Sequence, residues 1–99
     1  MTPLTPAVVE KIEALFPAEN REVAGRMIAD QCGGNLPLYT HMGLDPSGFD
    51  RIRFAVLKLS REDLERLQRE IEGANIDWRD TLMAAGFGED IHAHLQWHP

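Results

Sequence analysis

Apolar residues recur along this chain at spacings of three and four, the period of an α-helix. They nowhere alternate with the period of two that a strand requires. Thr5 followed by Pro6 reads as an N-cap with proline at the first helical position, and Val8, Ile12, Leu15 and Phe16 then follow on one face until Pro17 ends the run. A second helix is predicted from about Ala18–Asn20. Its inward stripe is Val23, Ala24, Met27, Ile28 and Cys32, closed by Gly33-Gly34 acting as a left-handed C-cap. Asp45-Pro46 repeats the cap-and-proline signal and opens a helix running to Leu59. Phe49, Ile52, Val56 and Leu59 share one side of it, while Phe54 and Leu57 point elsewhere. A helix apolar over more than half its circumference wants neighbours on several sides, so this segment is expected to be the central helix.

Ser60-Arg61-Glu62-Asp63 resembles a capping box, and the helix it starts carries Leu64, Leu67, Ile71 and Ala74 on a narrow stripe. Asp77-Trp78-Arg79-Asp80 repeats the start signal for a short helix with Trp78, Leu82 and Ala85 inward, closed by Gly86 and Gly88. A last helix over about Glu89–Trp97 is predicted to turn Ile91 and Leu95 inward. The fold expected is all-α, a compact bundle of five to six short helices around a central helix at about residues 46–59, in one domain covering residues 1–99.

Length and composition agree with one self-sufficient core. Apolar runs are only a few residues long, far short of the ~20 needed to span a bilayer, and Met1–Pro6 lacks the basic and apolar regions of a secretory leader. Cys32 is the only cysteine, so no internal disulfide forms, and a cytoplasmic location is the simplest expectation. On an apolar stripe Cys32 reads as a core residue rather than a nucleophile.

The net charge of −6 argues against nucleic acid as a partner. Residues 1–50 hold three basic and seven acidic side chains, residues 51–99 seven and nine, with opposite signs interleaved. Such a pattern makes a solvated helix surface rather than a basic patch. Residues 81–97 can be tested as a helix-turn-helix, but the second helix would offer two acids and no Lys or Arg near its start.

Two clusters are candidates for function. Asp90, His94 and His98 stand at i, i+4 and i+8, which on a helix places two imidazoles and a carboxylate on one face, a geometry that suits zinc, nickel or copper. Tyr39, His41 and Met42, in the apolar connection Asn35–Leu44, could line a partner surface; the alternative is that Leu36, Leu38, Tyr39 and Leu44 close one end of the bundle. Arg51 and Arg53 begin the central helix. Each could bridge to Asp77 or Asp80, satisfy a helix C-terminal carbonyl, or recognise an acidic partner. No nucleophile elbow, phosphate loop or zinc motif appears, and no cofactor is implied.

The strings Arg51-Ile52-Arg53-Phe54-Ala55-Val56-Leu57-Lys58-Leu59-Ser60 and Asp77-Trp78-Arg79-Asp80-Thr81-Leu82-Met83-Ala84-Ala85-Gly86-Phe87 resemble those of a group of small uncharacterised bacterial proteins. In that group a RIRFAxLKLS-type segment precedes a DWRDLLxAAGF-type segment. The resemblance spans roughly residues 32–97 and implies a bacterial cytosolic protein; it brings no activity and no catalytic residue. The function expected is contact with a protein partner or self-association, as an adaptor, regulator or subunit. The alternative is a metal-binding protein or small enzyme with its site on the C-terminal helix.

Overall fold

The computed structural model describes residues 2–36 and 49–99, so the expectations for Leu38, Leu44, Asp45 and Pro46 lie outside the described residues. Thr5 caps α1 (Pro6–Leu15) by accepting from the Val8 amide at 3.3 Å, and Val8 and Ile12 bury its inner face. Pro17 stands as the N-cap of α2 (Ala18–Gln31), which buries Ala24, Ile28 and Ala29. Val23, expected on that stripe, is exposed. After Phe49, α3 (Asp50–Ser60) buries Ile52 through Leu57 without interruption. α4 (Leu64–Ala85) follows, and a 3₁₀ turn at Ala93–Gln96 ends the described chain. Every helix and the turn contribute to one core, and no strand is present among the described residues.

Among the described residues the helix count is therefore four, where five to six were expected of the chain. Two of the expected helices, those predicted from Ser60 and from Asp77, are the two halves of α4, which meet at a kink at Asp77 (φ −149°, ψ 90°). The Asp77 carboxylate accepts from the Arg79 and Asp80 amides at 3.2 and 3.4 Å, so the capping signal legible in the sequence restarts the helix at the kink. The true N-cap of α4 is Asp63, which accepts from Glu65 and Arg66. Ser60 instead closes α3, donating to the Leu57 carbonyl at 2.6 Å. Between them Arg61 and Glu62 take left-handed conformations, φ 51° and 67°, and reverse the chain in two residues.

The predicted helix at Glu89–Trp97 is absent. With a 3₁₀ turn in its place the phase changes: Ala93, His94 and Trp97 face the core, while Ile91 and Leu95 are 63% and 56% exposed. The Gly33 expectation changes too. Gly33 has no positive φ; a Cβ there would stand 2.6 Å from the Thr2 Cβ and 2.9 Å from Arg53 Nη2. Glycine is needed because the N-terminal segment passes directly over it.

α3 packs most extensively on α4 and also touches α1 and the 3₁₀ turn, while α2 packs on α1 and α4. Amide side chains join α2 to α4: Asn35 Nδ2 donates to Asn75 Oδ1 at 2.7 Å, and Asn75 Nδ2 donates to the Gln31 carbonyl at 2.9 Å. No helix of the described residues is long and apolar enough to cross a membrane.

Candidate functional site

The three cations of α3 all end on backbone carbonyls. Arg53 is 0% exposed. Its Nε donates to the Cys32 carbonyl at 2.7 Å, Nη1 to Pro3 at 2.8 Å and Nη2 to Thr2 at 2.8 Å. Of the roles the sequence allowed, this is carbonyl satisfaction, since Cys32 is the C-cap of α2 and one of the carbonyls a helix leaves unpaired. Burial lowers the guanidinium pKa from its ordinary value, opposed by the neighbouring Cys32 and Asp50. Asp50 in turn accepts from Thr5 Oγ1 at 2.9 Å, tying α3 to the cap of α1.

Arg51 reaches the other way, donating through Nη2 to the Phe87 carbonyl at 2.6 Å. Lys58 donates to the Ala85 carbonyl at 2.8 Å and stands 5.0 Å over the Phe87 ring. A cation at a helix C-terminus complements the dipole there, so Lys58 and Arg51 hold the end of α4 and the turn after it. Neither Arg51 nor Arg53 pairs with Asp77 or Asp80. With all three of its donor nitrogens on carbonyls and no exposed surface, Arg53 presents nothing to a partner in this arrangement.

His94 is buried edge-on against Phe54, 5.3 Å between ring centroids at 72°, and against Phe87 at 6.3 Å. Its Nδ1 and the Nε of Arg51 are buried and find no hydrogen-bond partner among the described residues. Burial first, then Arg51 and His92, lower the imidazole pKa; the Ile91 backbone and Asp90 oppose them weakly. The Lys11 Nζ lies 3.1 Å from His98 Nδ1 and over the Phe54 and Trp97 rings. His94 is thus packed into the core while His98 is drawn towards α1. Asp90 accepts from the His92 amide at 2.8 Å. The helical register that would set Asp90, His94 and His98 on one face is absent. Among the described residues no group of three His, Cys, Asp or Glu side chains is placed to hold a metal ion. Tyr39, His41 and Met42 lie outside the described residues. Cys32 is buried, and burial pushes its thiol pKa up to about 12 despite the adjacent Arg53.

Sequence reasoning missed the outer face of α4. Leu67, Ile71 and Ala74 before the kink and Thr81, Leu82 and Ala85 after it are buried. Opposite them Glu65, Arg69, Glu72, Ile76, Arg79, Asp80 and Met83 form an exposed stripe. Ile76 is 87% and Met83 71% exposed, the two largest values among the large apolar side chains of the described residues. Both stand off the inward stripe in the sequence, which was the available signal. Phe87, by contrast, is buried, and Trp78 and Trp97 pack partly against the core. Ile76 rims a groove of about 540 Å³ shared with Asp30, Gln68, Glu72 and Asn75, and Met83 rims a hollow of about 300 Å³ with Gly86, Gly88 and Glu89.

Compared with known protein families, with curated proteins and with solved structures, the chain finds no match in any of the three.

Proposed function

We propose that this chain acts through protein–protein contact, as an adaptor, a regulator or a self-associating subunit of the cytosol. The observation that carries the reading is the pair of large apolar side chains, Ile76 and Met83, held in water on the outer face of a helix whose inner face is fully packed. Ile91 and Leu95 add to the apolar surface offered to a partner. The cations of α3 support the same reading from the other side, because they are spent on carbonyls of the chain itself. The net charge of −6 favours a protein partner over nucleic acid. In this reading α3 is the helix about which the others are arranged, and the exposed side of α4 is the working surface.

The test is affinity capture with cross-linking, comparing the native chain with the paired surface variants Ile76→Glu/Met83→Glu and Ile91→Glu/Leu95→Glu. Specific cross-linked products lost in one variant pair support the reading. A chain that stays monomeric at every concentration and yields the same background captures as both variants overturns it.

A further inference from the structure

We propose that residues 89–97 form a pH-sensitive strap: protonation of His94 releases the segment from the helices and uncovers the rings of Phe54 and Phe87. This device does not depend on the protein-contact reading above. How the strap is fastened decides how it can come away. Up to Gly88 the chain that leaves α4 is held by cations of α3. Arg51 donates to the Phe87 and Gly88 carbonyls at 2.6 and 3.4 Å, and Lys58 donates to the Ala85 carbonyl at 2.8 Å. Beyond Gly88 the fastening changes. The backbone bonds of the strap run between its own residues, Ala93 to Asp90 at 3.1 Å, Leu95 to His92 at 3.0 Å and Trp97 to His94 at 3.2 Å. The Asp90 carboxylate likewise takes the His92 amide. The strap therefore grips the bundle through side chains. His94 stands edge-on to Phe54 at 5.3 Å and to Phe87 at 6.3 Å, Trp97 stands edge-on to Phe54 at 6.1 Å, and Ala93 packs on the core. A four-residue 3₁₀ turn does not hold itself in water, so these contacts are what keep it formed.

Of these three side chains, His94 is the one whose charge changes near neutral pH. It is 8% exposed, and its Nδ1 finds no hydrogen-bond partner among the described residues. A proton makes both ring nitrogens donors, which turns Nδ1 into a charged, buried N–H with no acceptor to receive it. The surrounding charges add to that cost. Arg51 faces the ring from α3, with its own Nε buried and unpartnered among the described residues. Lys58, also of α3, lies 5.0 Å over the Phe87 ring. Lys11 of α1 lies 5.6 Å over Phe54 and 5.9 Å over Trp97. Within the strap His92 opposes the charge, while Asp90 and the Ile91 backbone favour it and are outweighed. Cations thus reach the ring cluster from two helices, and water supplies what the cluster lacks once the strap lifts. With the strap lifted His94 takes its proton near the ordinary value of 6.5; docked, burial and Arg51 hold it lower. The strap is therefore closed above that value. Each pH unit below it favours opening by up to about tenfold, until the lower docked value is passed.

Hydrogen exchange on the full chain from about pH 7.5 to 4.5, corrected for the intrinsic pH dependence of amide exchange, tests this. Protection of the Leu95 and Trp97 amides is expected to fall by up to about tenfold per pH unit below 6.5. The Leu67 amide, which donates to the Asp63 carbonyl at 2.9 Å on α4, is expected to keep its protection. His94→Leu and His94→Gln take no proton at this position, and in both the protection of the strap is expected to stay level. Strap protection that stays constant in the native chain as pH falls overturns the proposal without any variant. A fall that persists in both variants overturns it too, because another group then drives the opening. So does a parallel fall at Leu67, which would be unfolding of the whole chain rather than release of a strap.

Discussion

Replacing Arg53 with Met keeps most of the side-chain volume and removes the guanidinium, so the loss isolates the three bonds it makes. Hydrogen bonds to a charged group contribute about 1.5–3 kcal/mol each. Taking the lower value for the bonds to Cys32, Pro3 and Thr2 gives a gross loss of about 4–5 kcal/mol. Methionine relieves the cost of burying a charge, which offsets part of this, but it leaves the Cys32 carbonyl buried and unpaired. A net destabilisation of about 3 kcal/mol is expected, within the range seen when one partner of a buried charged contact is removed. Against the 5–15 kcal/mol typical of a domain, that is a large fraction of the total. Urea titration followed by Trp fluorescence and far-ultraviolet circular dichroism measures it through the midpoint at constant slope. Hydrogen exchange at the Thr2 amide, which donates to the Ala29 carbonyl at 2.9 Å, reports whether the N-terminal segment lifts away before the rest unfolds. A loss under about 1 kcal/mol would refute the reasoning, because three charged bonds, one buried and two part-buried, cannot be worth less than one ordinary bond.

Further outcomes follow from burial. Val56→Asp places an unpaired carboxylate at a fully buried site on α3 and is expected to abolish the cooperative thermal transition; a soluble, cooperatively melting variant would disprove that reading. His94 has a lowered pKa when folded, so the unfolded chain binds its proton first. Its contribution to stability is complete above the ordinary histidine value near 6.5 and is lost as pH falls from there through the lower folded value. Melting temperatures of the native chain and of His94→Leu at pH 5 and pH 7.5 check this, and the native chain should lose more on acidification. Cys32, with its thiol pKa pushed up to about 12, should resist a disulfide reagent in the folded chain at pH 8 and react at once in denaturant.

The local signals that depend on a few neighbouring residues were legible. Thr5-Pro6 starts α1, Pro17 separates α1 from α2, and Asp77 caps a helical start, as the sequence pattern predicts. What could not be read is whether a capped start also ends the helix before it. Asp77 supplies both answers, a cap and a kink: its backbone leaves the helical region while its carboxylate caps the turn that follows. The C-terminal segment failed for a related reason. Four residues of 3₁₀ geometry carry the same composition as a short α-helix but turn different side chains inward, exchanging Ile91 and Leu95 for His94. Periodicity does not see hydrogen bonds between residues far apart in the chain. Arg53 therefore had to remain open between a partner and a carbonyl until the N-terminal segment was placed beside it. Gly33 shows the same limit, since its need for room comes from Thr2, 31 positions away by numbering.

The carbonyl-seeking cations of α3 also bear on how fast the protein comes apart. The bonds from Arg51, Arg53 and Lys58 join residues separated by 21 to 51 positions, so each requires the helices to be docked before it can form. Contacts of that kind are expected to form late in folding, after a transition state built on local helix and apolar packing. Their energy then falls almost wholly on the barrier to unfolding. Arg53 is accordingly expected to act less as a guide for collapse than as a fastening applied afterwards, so that its removal speeds unfolding far more than it slows folding.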